Sequence, residues 1–380
     1  MSGFELTLEE RRLVDGIGEF AARDVAPQAR DWERHRTFPL DTIRQAADLG
    51  ALGMLVPPAL GGLGLRPTAM AAAAETLAAA DFFFAFALVV HNNLAGAIAR
   101  EGDDGQRNRY LPALLRGERI GAFLLTEPHA GSDAAAIATR AEHDGRGWRL
   151  TGEKAWISNG TDADVLSVYA QTDPQLSWRG IAAFLVGADL PGVERLPAYS
   201  LLGGHALGTA GFTFDACQLP EDALFLPPGR GFKVAMEGID LARVAVAAMC
   251  CGMLDRALDL AAAHVCDRRA FGGPLADKQG LAWMLAEAAT DLAAARALTR
   301  EAAARLDVGD RATLAAAHAK KFAARAAFAR IADCMQVHGA TGLSDELPLG
   351  RFLAAAKTAE YLDGTNEIQN LVIARGLLDR

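Results

Sequence analysis

Polar and aromatic side chains that could take part in chemistry are concentrated in four regions of the chain. The regions are "FLLTEPHAGSD" (123–133), "EKAWISNG" (153–160), "DRRAFGGPLADKQ" (267–279) and "QVHGATG" (336–342), the last continued by "YLDGTNEIQ" (361–369). The final stretch contains Asp363 directly before a glycine and a threonine, a pattern that predicts a turn and a helix start. A carboxylate there is either an ordinary turn residue or a general base.

Each of these regions also has an ordinary structural interpretation. A tryptophan on a strand usually belongs to a core, and arginines between two helices usually face solvent. Hydroxyl and acidic residues beside glycine are common in turns and helix caps. A function is therefore indicated only by the combination of regions and by their order.

Several familiar sites are absent from the sequence. No G-x-G-x-x-G lies between a strand and a helix, and no G-x-x-x-x-G-K-[ST] occurs. There is no G-x-S-x-G nucleophile motif. The eight histidines and five cysteines form no short metal-ligand spacing. These absences disfavour a Rossmann or phosphate-loop nucleotide site, an ordinary serine hydrolase and a metal centre.

The composition predicts a soluble protein rich in helix. The 380 residues are 51% hydrophobic and 22% charged, with a net charge of −9. Such a length predicts two or three domains, and the acidic balance disfavours a nucleic-acid partner. Ala/Leu-rich surroundings indicate that most cysteines are buried, reduced thiols. The apolar run at 82–90 is too short to cross a bilayer and no leader pattern is visible, so we expect a cytoplasmic protein without a membrane partner.

The elements that must position the four regions fall into three parts. Residues 1–120 carry helical patterns, which begin with a capping box at Thr7 and Glu10. Residues 121–228 carry short β-prone segments that predict a small barrel or sandwich. Residues 229–380 carry three long Ala/Leu-rich stretches and a last helix, which predict a four-helix bundle. The expected fold is therefore α+β and mostly α, with three domains at these boundaries.

Two strand predictions within the central part are specific enough to test. The segment 147–160 predicts a strand, a tight turn and a second strand. The segment 211–220 alternates, which predicts Phe212, Phe214 and Ala216 on one face.

Five segments occur in a characteristic order, namely "TEPHAGSD", "LTGEKAWISNG", "GFKVAMEGIDLARVAVAA", "RRAFGGPLADKQ" and "DGTNEIQ". In order and spacing the chain resembles the acyl-CoA dehydrogenase family over nearly its whole length. The resemblance implies the same three-part fold and an FAD-dependent oxidoreductase acting on CH–CH bonds. Its substrate would be an acyl-CoA or an acyl-carrier-protein thioester, oxidised to the 2-enoyl thioester.

The resemblance also implies roles for individual residues. Asp363 would take the α-proton while the β-hydride passes to FAD N5, and the carbonyl would be held by a ribityl hydroxyl and a backbone N–H at the base residue. The implied FAD contacts are Leu125, Thr126, Ser132, Trp156, Ser158, Arg268, Phe271, Gln279, Gln336, Gly339, Thr365 and Glu367. The implied substrate contacts are Asp240, Arg243, Gly364 and Arg375.

The resemblance further implies partners. In the family, part of the FAD shell comes from a neighbouring subunit, so a homotetramer arranged as a dimer of dimers is expected. An electron-transferring flavoprotein is the expected electron acceptor.

The base position departs from the family pattern. The family usually has Glu there, whereas this chain has Asp363 at the family's spacing from Gln336 (363 − 336 = 27 residues). The family's second base position is Ala242, which offers no carboxylate. An Asp is one methylene shorter, and a misplacement of about 1 Å can cost about 100-fold in rate. We therefore expect straight-chain substrates to be poor unless the pocket compensates, and burial should raise the pKa of Asp363 toward that of a useful base.

Alternatives remain open from the sequence alone. Asp at this position also resembles dehydrogenases of cyclic thioesters and nitroalkane oxidases, but the latter pair it with an Arg where this chain has Gln369 and Asn370. A flavin oxidase of the same fold, of acyl-CoA or nitroalkane type, would return electrons to oxygen. A non-catalytic relative that binds nucleic acid would need a basic surface, against which the net charge of −9 argues.

Overall fold

The structure is a computed structural model that describes residues 5–378, and the predicted three-part fold is confirmed. Thr7 begins the first helix with the predicted capping box, because its hydroxyl accepts from Glu10 N and its N–H donates to the Glu10 carboxylate. One π-helical turn, Ala21–Val25, continues this helix. The N-terminal helices are α1 (Leu8–Phe20), α2 (Ala29–His35), α3 (Leu40–Ala47), α4 (Pro67–Ala80), α5 (Phe82–Glu101) and α6 (Asp104–Leu115).

The apolar run at 82–90 is the first half of α5, which has 20 residues. The carboxylate of Asp81 caps this helix by accepting from Phe84 N at 2.8 Å. By length and composition α5 could cross a membrane, but 89% of its apolar window is buried inside the protein. The helix is therefore a core helix that extends beyond the apolar run.

The central part is one eight-stranded sheet with a hydrophobic core on each face. The strands are β1 (Gly121–Leu124), β2 (Arg140–His143), β3 (Gly147–Ile157), β4 (Val165–Gln171), β5 (Ile181–Gly187), β6 (Val193–Arg195), β7 (Ala210–Pro220) and β8 (Leu224–Leu226). Their order is β6-β7-β3-β2-β4-β5-β8, and β1 pairs with β4 in parallel. One face of the sheet packs on α5, α6 and the residues after β8.

The prediction of a tight turn within residues 147–160 was wrong, because β3 runs without interruption from Gly147 to Ile157. Gly152 has φ +151°, and a Cβ there would lie 2.6 Å from the Cα of Thr139. Glycine is therefore required for a close approach between strands, not for a turn.

The alternation predicted for β7 breaks at Ala216. Phe212 and Phe214 are buried as predicted, but Ala216 is exposed and the buried face resumes at Cys217. The register of β3 against β7 shifts at this point and Ala216 has φ +47°, which is the pattern of a β-bulge. The extra residue turns Ala216 away from the core.

The C-terminal part contains five helices within its described residues 229–378, and the sequence predicted four of them. The helices are α7 (Gly231–Asp267), α8 (Gln279–Asp307), α9 (Thr313–Val337), α10 (Leu349–Ala359) and α11 (Asn366–Leu378), with a small hairpin of β9 (Arg269–Ala270) and β10 (Gly273–Pro274) between α7 and α8. Helix α10 was missed. It is held by its buried face, which includes Leu349 and Phe352.

Helices of the first and last parts share one core, since α4 packs directly on α7. The contact is close because Gly252 lies against the main chain of Glu75, where any Cβ would overlap the carbonyl oxygen. Four cysteines are buried and only Cys266 is exposed, all as free thiols, as the sequence predicted.

Candidate active site

Asp363 lies in the turn between α10 and α11, in an unusual backbone conformation. Its φ is +50° and that of Gly364 is +90°, so two consecutive residues are left-handed. A non-glycine residue at positive φ costs free energy and persists only where surrounding contacts impose it. The contacts that hold this turn are therefore of interest.

Three side chains, two of them from distant parts of the sequence, hold the main chain of this turn. Arg243 Nε donates to the carbonyl of Asp363 at 2.9 Å. Gln369 Nε2 donates to the carbonyl of Gly364 at 2.8 Å, and Lys320 Nζ donates to the same oxygen at 3.0 Å. The turn is thus fixed through its backbone, and none of these bonds uses the Asp363 carboxylate.

The carboxylate of Asp363 is correspondingly free. Its Oδ2 is buried and has no hydrogen-bond partner among the described residues. Burial raises the pKa of Asp363 to about 6, although the cations of Arg243 and Lys320 act in the opposite direction. A buried carboxylate without donors and with such a pKa suits proton abstraction near neutral pH.

Asp363 forms part of the wall of a partly open cavity of about 420 Å³. Most of the wall is apolar and comes from α5 and α7, together with the residues that precede α4. Residues that define it include Leu65, Phe86, Val90, Leu94, Ile239 and Leu241. On α7 the wall extends from Ala242 to Val234, about 12 Å at 1.5 Å per residue. The cavity has the length and polarity expected for an acyl thioester.

No other carboxylate among the described residues lines this cavity. Ala242, the family's second base position, lines it with a methyl group. Asp240 does not line it, because its carboxylate accepts from Arg243 Nη1 at 2.9 Å and from Thr313 Oγ1 at 2.5 Å. Asp240 and Arg243 were predicted to contact substrate, and the structure places them beneath the Asp363 turn.

The predicted flavin residues of the central part are brought together at the ends of two strands. Leu125 and Thr126 follow β1, while Trp156 and Ser158 lie at the end of β3. The two ends are joined because Ala155 N donates to the carbonyl of Thr126 at 3.0 Å.

A buried ion pair fixes the same strand ends. Lys154 is fully buried, and its Nζ donates to the Leu125 carbonyl at 2.9 Å and to Glu127 Oε1 at 2.7 Å. The Glu127 carboxylate also accepts from the N–H groups of Ala138 and Thr139. Burial lowers the pKa of Lys154 to about 8. For Glu127, burial acts to raise the pKa, but the Lys154 cation and the hydrogen-bond donors outweigh it, and the pKa of Glu127 lies below its usual value. Both groups therefore remain charged in the folded protein.

Trp156 presents a flat aromatic surface beside these strand ends. Its φ is +61°, its indole stacks on Tyr199 with ring centroids 4.3 Å apart, and 56% of the residue is exposed. Thr126 and Ser158 carry hydroxyl groups at these strand ends, and Ser132 lies in the segment that joins β1 to β2. An exposed indole among hydroxyl donors fits a planar heterocycle with hydrogen-bonding edges, such as the isoalloxazine of FAD.

The remaining predicted FAD residues form a separate group at the far end of the bundle. Arg268, Phe271 and Gln279 surround the β9–β10 hairpin, while Gln336 and Gly339 lie at the end of α9. The two places adjoin, because the rings of His264 and His338 are 4.5 Å apart. All five predicted residues are exposed.

The second group of predicted FAD residues is far from the Asp363 turn within one chain. Arg268 follows Arg243 by 25 residues (268 − 243) along α7, which corresponds to about 37 Å of helix. Such a distance exceeds the reach of an extended FAD molecule that starts beside Asp363. Thr365 and Glu367 lie beside Asp363 at the start of α11, and Arg375 is exposed further along this helix.

Sequence reasoning missed Lys320 as a functional candidate. The signal was present, since Lys320 lies among Ala316, Ala317, Ala323 and Ala324 on an otherwise apolar helix face. A charged residue within an alanine-rich stripe is unusual unless it is paired. Gln369 was considered only as the absence of an arginine, whereas it is fully buried and bonds the Asp363 turn.

Comparison with known proteins identifies the family. The family models "Acyl-CoA dehydrogenase, N-terminal domain", "Acyl-CoA dehydrogenase, middle domain" and "Acyl-CoA dehydrogenase, C-terminal domain" match residues 7–118, 122–217 and 229–378. The chain belongs to the acyl-CoA dehydrogenase family. The predicted enzyme class, an oxidoreductase acting on CH–CH bonds, and the predicted FAD cofactor follow from this membership.

Individual relatives are similar over nearly their full length. The mitochondrial short-chain specific acyl-CoA dehydrogenase of Mus musculus is 37% identical over 375 residues, 98% of this chain and 91% of that protein. The butyryl-CoA dehydrogenase structure from Megasphaera elsdenii has a TM-score of 0.95 and 31% identity, covering 98% of this chain and 99% of that one. A glutaryl-CoA dehydrogenase from Mycobacterium smegmatis, in complex with FADH2, has a TM-score of 0.93 and 29% identity, covering 99% and 96%.

Proposed function

We propose that the protein oxidises a short acyl-CoA to the 2-enoyl-CoA, with Asp363 as the base that removes the α-proton. The observation that carries this proposal is the Oδ2 atom of Asp363, buried without a partner in the wall of an apolar cavity. An unpaired buried carboxylate is costly, and a structure retains one where function requires it.

The residues of this chain supply positioning, a base and a carbonyl donor. The apolar cavity excludes water and aligns the α-carbon with Asp363, which accepts the α-proton. The main-chain N–H of Asp363 donates to no acceptor among residues 5–378, so it is available to the thioester carbonyl, where negative charge develops. FAD, when bound beside Trp156, supplies at N5 the acceptor for the hydride that leaves the β-carbon.

The FAD site requires a neighbouring copy of the chain. Thr365 lies two residues after Asp363, whereas Arg268 lies about 37 Å of helix away from Arg243, which bonds this turn. Arg268 and Gln336 therefore contribute to the FAD of another subunit, for which the guanidinium suits diphosphate oxygens. This division of the site supports the proposed dimer of dimers.

A short acyl group is favoured over a long one. The relatives named above are short-chain specific, butyryl-CoA and glutaryl-CoA dehydrogenases, and the cavity wall on α7 spans only about 12 Å. Because the side chain of Asp363 is shorter than that of glutamate, we still expect an acyl-group preference different from that of an enzyme with a glutamate base. Coenzyme A is the proposed carrier and an electron-transferring flavoprotein the proposed electron acceptor.

Anaerobic flavin bleaching tests the base assignment. Wild-type protein, Asp363→Asn and Asp363→Glu are each mixed with straight, branched and cyclic acyl-CoAs while flavin absorbance is followed. Removal of a general base costs about 100- to 10,000-fold, so Asp363→Asn should bind FAD and bleach slower by that factor. Asp363→Glu should remain active and shift preference toward straight chains, because it restores one methylene of reach.

The outcome that contradicts the assignment is reduction of Asp363→Asn at the wild-type rate. The same proteins under air distinguish a dehydrogenase from an oxidase of this fold. We expect little peroxide and rapid electron transfer to an electron-transferring flavoprotein, whereas stoichiometric peroxide would establish the oxidase.

A further inference from the structure

We propose that Lys320 is a positioning residue for the catalytic turn, which it holds on both sides of Asp363 through its ammonium group and to which it supplies a buried positive charge. This inference rests on the proposed role of Asp363 as base.

The hydrogen bonds of Lys320 require its charged form. The side chain is fully buried, and Nζ donates to the carbonyl of Glu360 at 2.9 Å, to the carbonyl of Gly364 at 3.0 Å and to Asn366 Oδ1 at 3.3 Å. An ammonium group has three N–H donors, and three acceptors meet it. A neutral amine has only two, so its formation would leave one buried acceptor of the turn unsatisfied.

These acceptors lie on both sides of Asp363. Glu360 precedes it at the end of α10, and Gly364 and Asn366 follow it at the start of α11. Lys320, on α9, therefore clamps the two ends of the turn that carries the base. The left-handed φ of Asp363 is a conformation that such a clamp can impose.

The charge of Lys320 has no hydrogen-bonded carboxylate to neutralise it among the described residues. The Glu360 carboxylate is engaged by Lys357 Nζ at 2.5 Å and by Asn366 Nδ2 at 3.3 Å, and only its carbonyl faces Lys320. Four charged or titratable groups influence the charge of Lys320. They are Asp363 in the turn, Cys250 and Arg243 on α7, and Glu360 at the end of α10. Asp363 is the unpaired anion in this set.

The two charges therefore support one another without direct contact. Burial lowers the pKa of Lys320 to about 8, and Asp363 acts to raise it. Burial raises the pKa of Asp363 to about 6, and Arg243 and Lys320 act to lower it. The base is ionised and the clamp charged only between these two values, so the rate constant for flavin reduction should pass through a maximum near neutral pH.

The experiment compares Lys320→Met, Lys320→Arg and the neighbouring Lys321→Met, a partly buried control on the same helix. The second-order rate constant of anaerobic flavin reduction is measured between about pH 5 and about pH 9.5, since it reports the pKa values of free enzyme. FAD content and the thermal midpoint are recorded in parallel. Lys321→Met should match wild type.

For Lys320→Met we expect a rate constant about 100-fold lower at pH 7 and an acid limb moved up by about one pH unit. Lys320→Arg should keep the acid limb and lose the alkaline limb near pH 8, because guanidinium does not titrate there. A lower rate with an unmoved acid limb would mean a merely structural role and overturn the proposal. If the Lys320 variants do not accumulate with FAD, a wild-type rate that stays flat from pH 7 to 9.5 overturns it.

A readout without substrate separates this proposal from the proposed function. The infrared C=O band of protonated Asp363, identified by its loss in Asp363→Asn, gives the pKa of this carboxyl in the oxidised holoenzyme. An upward shift in Lys320→Met supports the proposal even if no thioester bleaches the flavin. An unchanged pKa overturns it even if Asp363 is the base.

Discussion

At the scale of single residues, the property that suits Asp363 to be a base also makes it destabilising. Its pKa rises from 3.8 to about 6 on folding, so between these values the folded protein holds a proton that the unfolded chain has lost. Stability therefore falls as pH rises through this window and stays low above it. The native state bears a cost of up to about 3 kcal/mol at neutral pH, at 1.36 kcal/mol per pKa unit.

Asp363→Asn should consequently stabilise the holoenzyme at pH 7.5, by about 2–3 kcal/mol, and by much less at pH 4. The asparagine carries no charge to desolvate, so the gain should appear only where wild-type Asp363 is ionised. Urea unfolding of both proteins at the two pH values measures the difference. A gain that is equal at pH 4 and pH 7.5 would mean that packing rather than charge burial is responsible.

The identity of this residue was predictable from the sequence, but its environment was not. Asp363 stood out because five segments in order resembled the family. The conformation of its turn depends on Gln369 in the following helix and on Arg243 and Lys320, which come from α7 and α9 and reach the turn only in the fold. Contacts at such sequence separations leave no local pattern, so Arg243 was assigned to substrate and Lys320 was overlooked.

At the scale of elements, the buried pair of Lys154 and Glu127 ties the end of β1 to β3. Lys154→Met would leave the Glu127 carboxylate buried without its cation, and breaking one partner of a buried pair costs about 3–5 kcal/mol. We expect that loss in urea unfolding. The fraction of protein carrying FAD should also fall, because Leu125 and Thr126 lose their anchor.

The double variant Lys154→Met with Glu127→Gln is the matched control. With no charge left unpaired, it should recover much of the stability lost in Lys154→Met. Losses that simply add in the double variant would show that the two side chains contribute independently.

Local signals predicted helices well and sheet irregularities poorly. Thr7 and Glu10 mark the start of α1, and glycine-containing turns separate α7, α8 and α9 near the expected residues, because caps and turns are encoded by neighbours in sequence. The bulge at Ala216 depends on the pairing register of β3 and β7, and the need for glycine at position 152 depends on its contact with Thr139. Both features depend on neighbouring segments of the sheet, which an alternation pattern within one strand does not report.

At the scale of the whole molecule, the proposed site belongs to no single part of the chain. The cavity lies between α5 of the N-terminal part, β4 of the sheet and α7 of the bundle, and Asp363 reaches it from the turn before α11. A packed core shared by α4, α5 and α7 fixes these parts relative to one another. We predict that the site is completed by a second chain, because the residues expected to contact the FAD diphosphate lie exposed at the far end of α7.

Phe271 provides the test of this last point. Phe271 and Gly272 form the two-residue turn of the β9–β10 hairpin, and their φ values of +51° and +84° suit such a turn. The turn leaves Phe271 94% exposed, on the hairpin that Arg268 and Gln279 flank. If Phe271 covers the FAD of a neighbouring subunit, Phe271→Asp should weaken FAD binding by about tenfold or more, equal to about 1.4 kcal/mol. Leu8→Asp, at an exposed position on α1, is the control and should change nothing.

Light scattering after size exclusion measures the assembly, and flavin absorbance per chain measures FAD occupancy. Wild type should have four times the 40.1 kDa mass of one chain. Phe271→Asp should combine lower FAD occupancy with smaller species, because cofactor and subunit would then share one interface. A monomer that binds FAD stoichiometrically and is bleached by its thioester would contradict the shared site, since one chain would then complete it despite the length of α7.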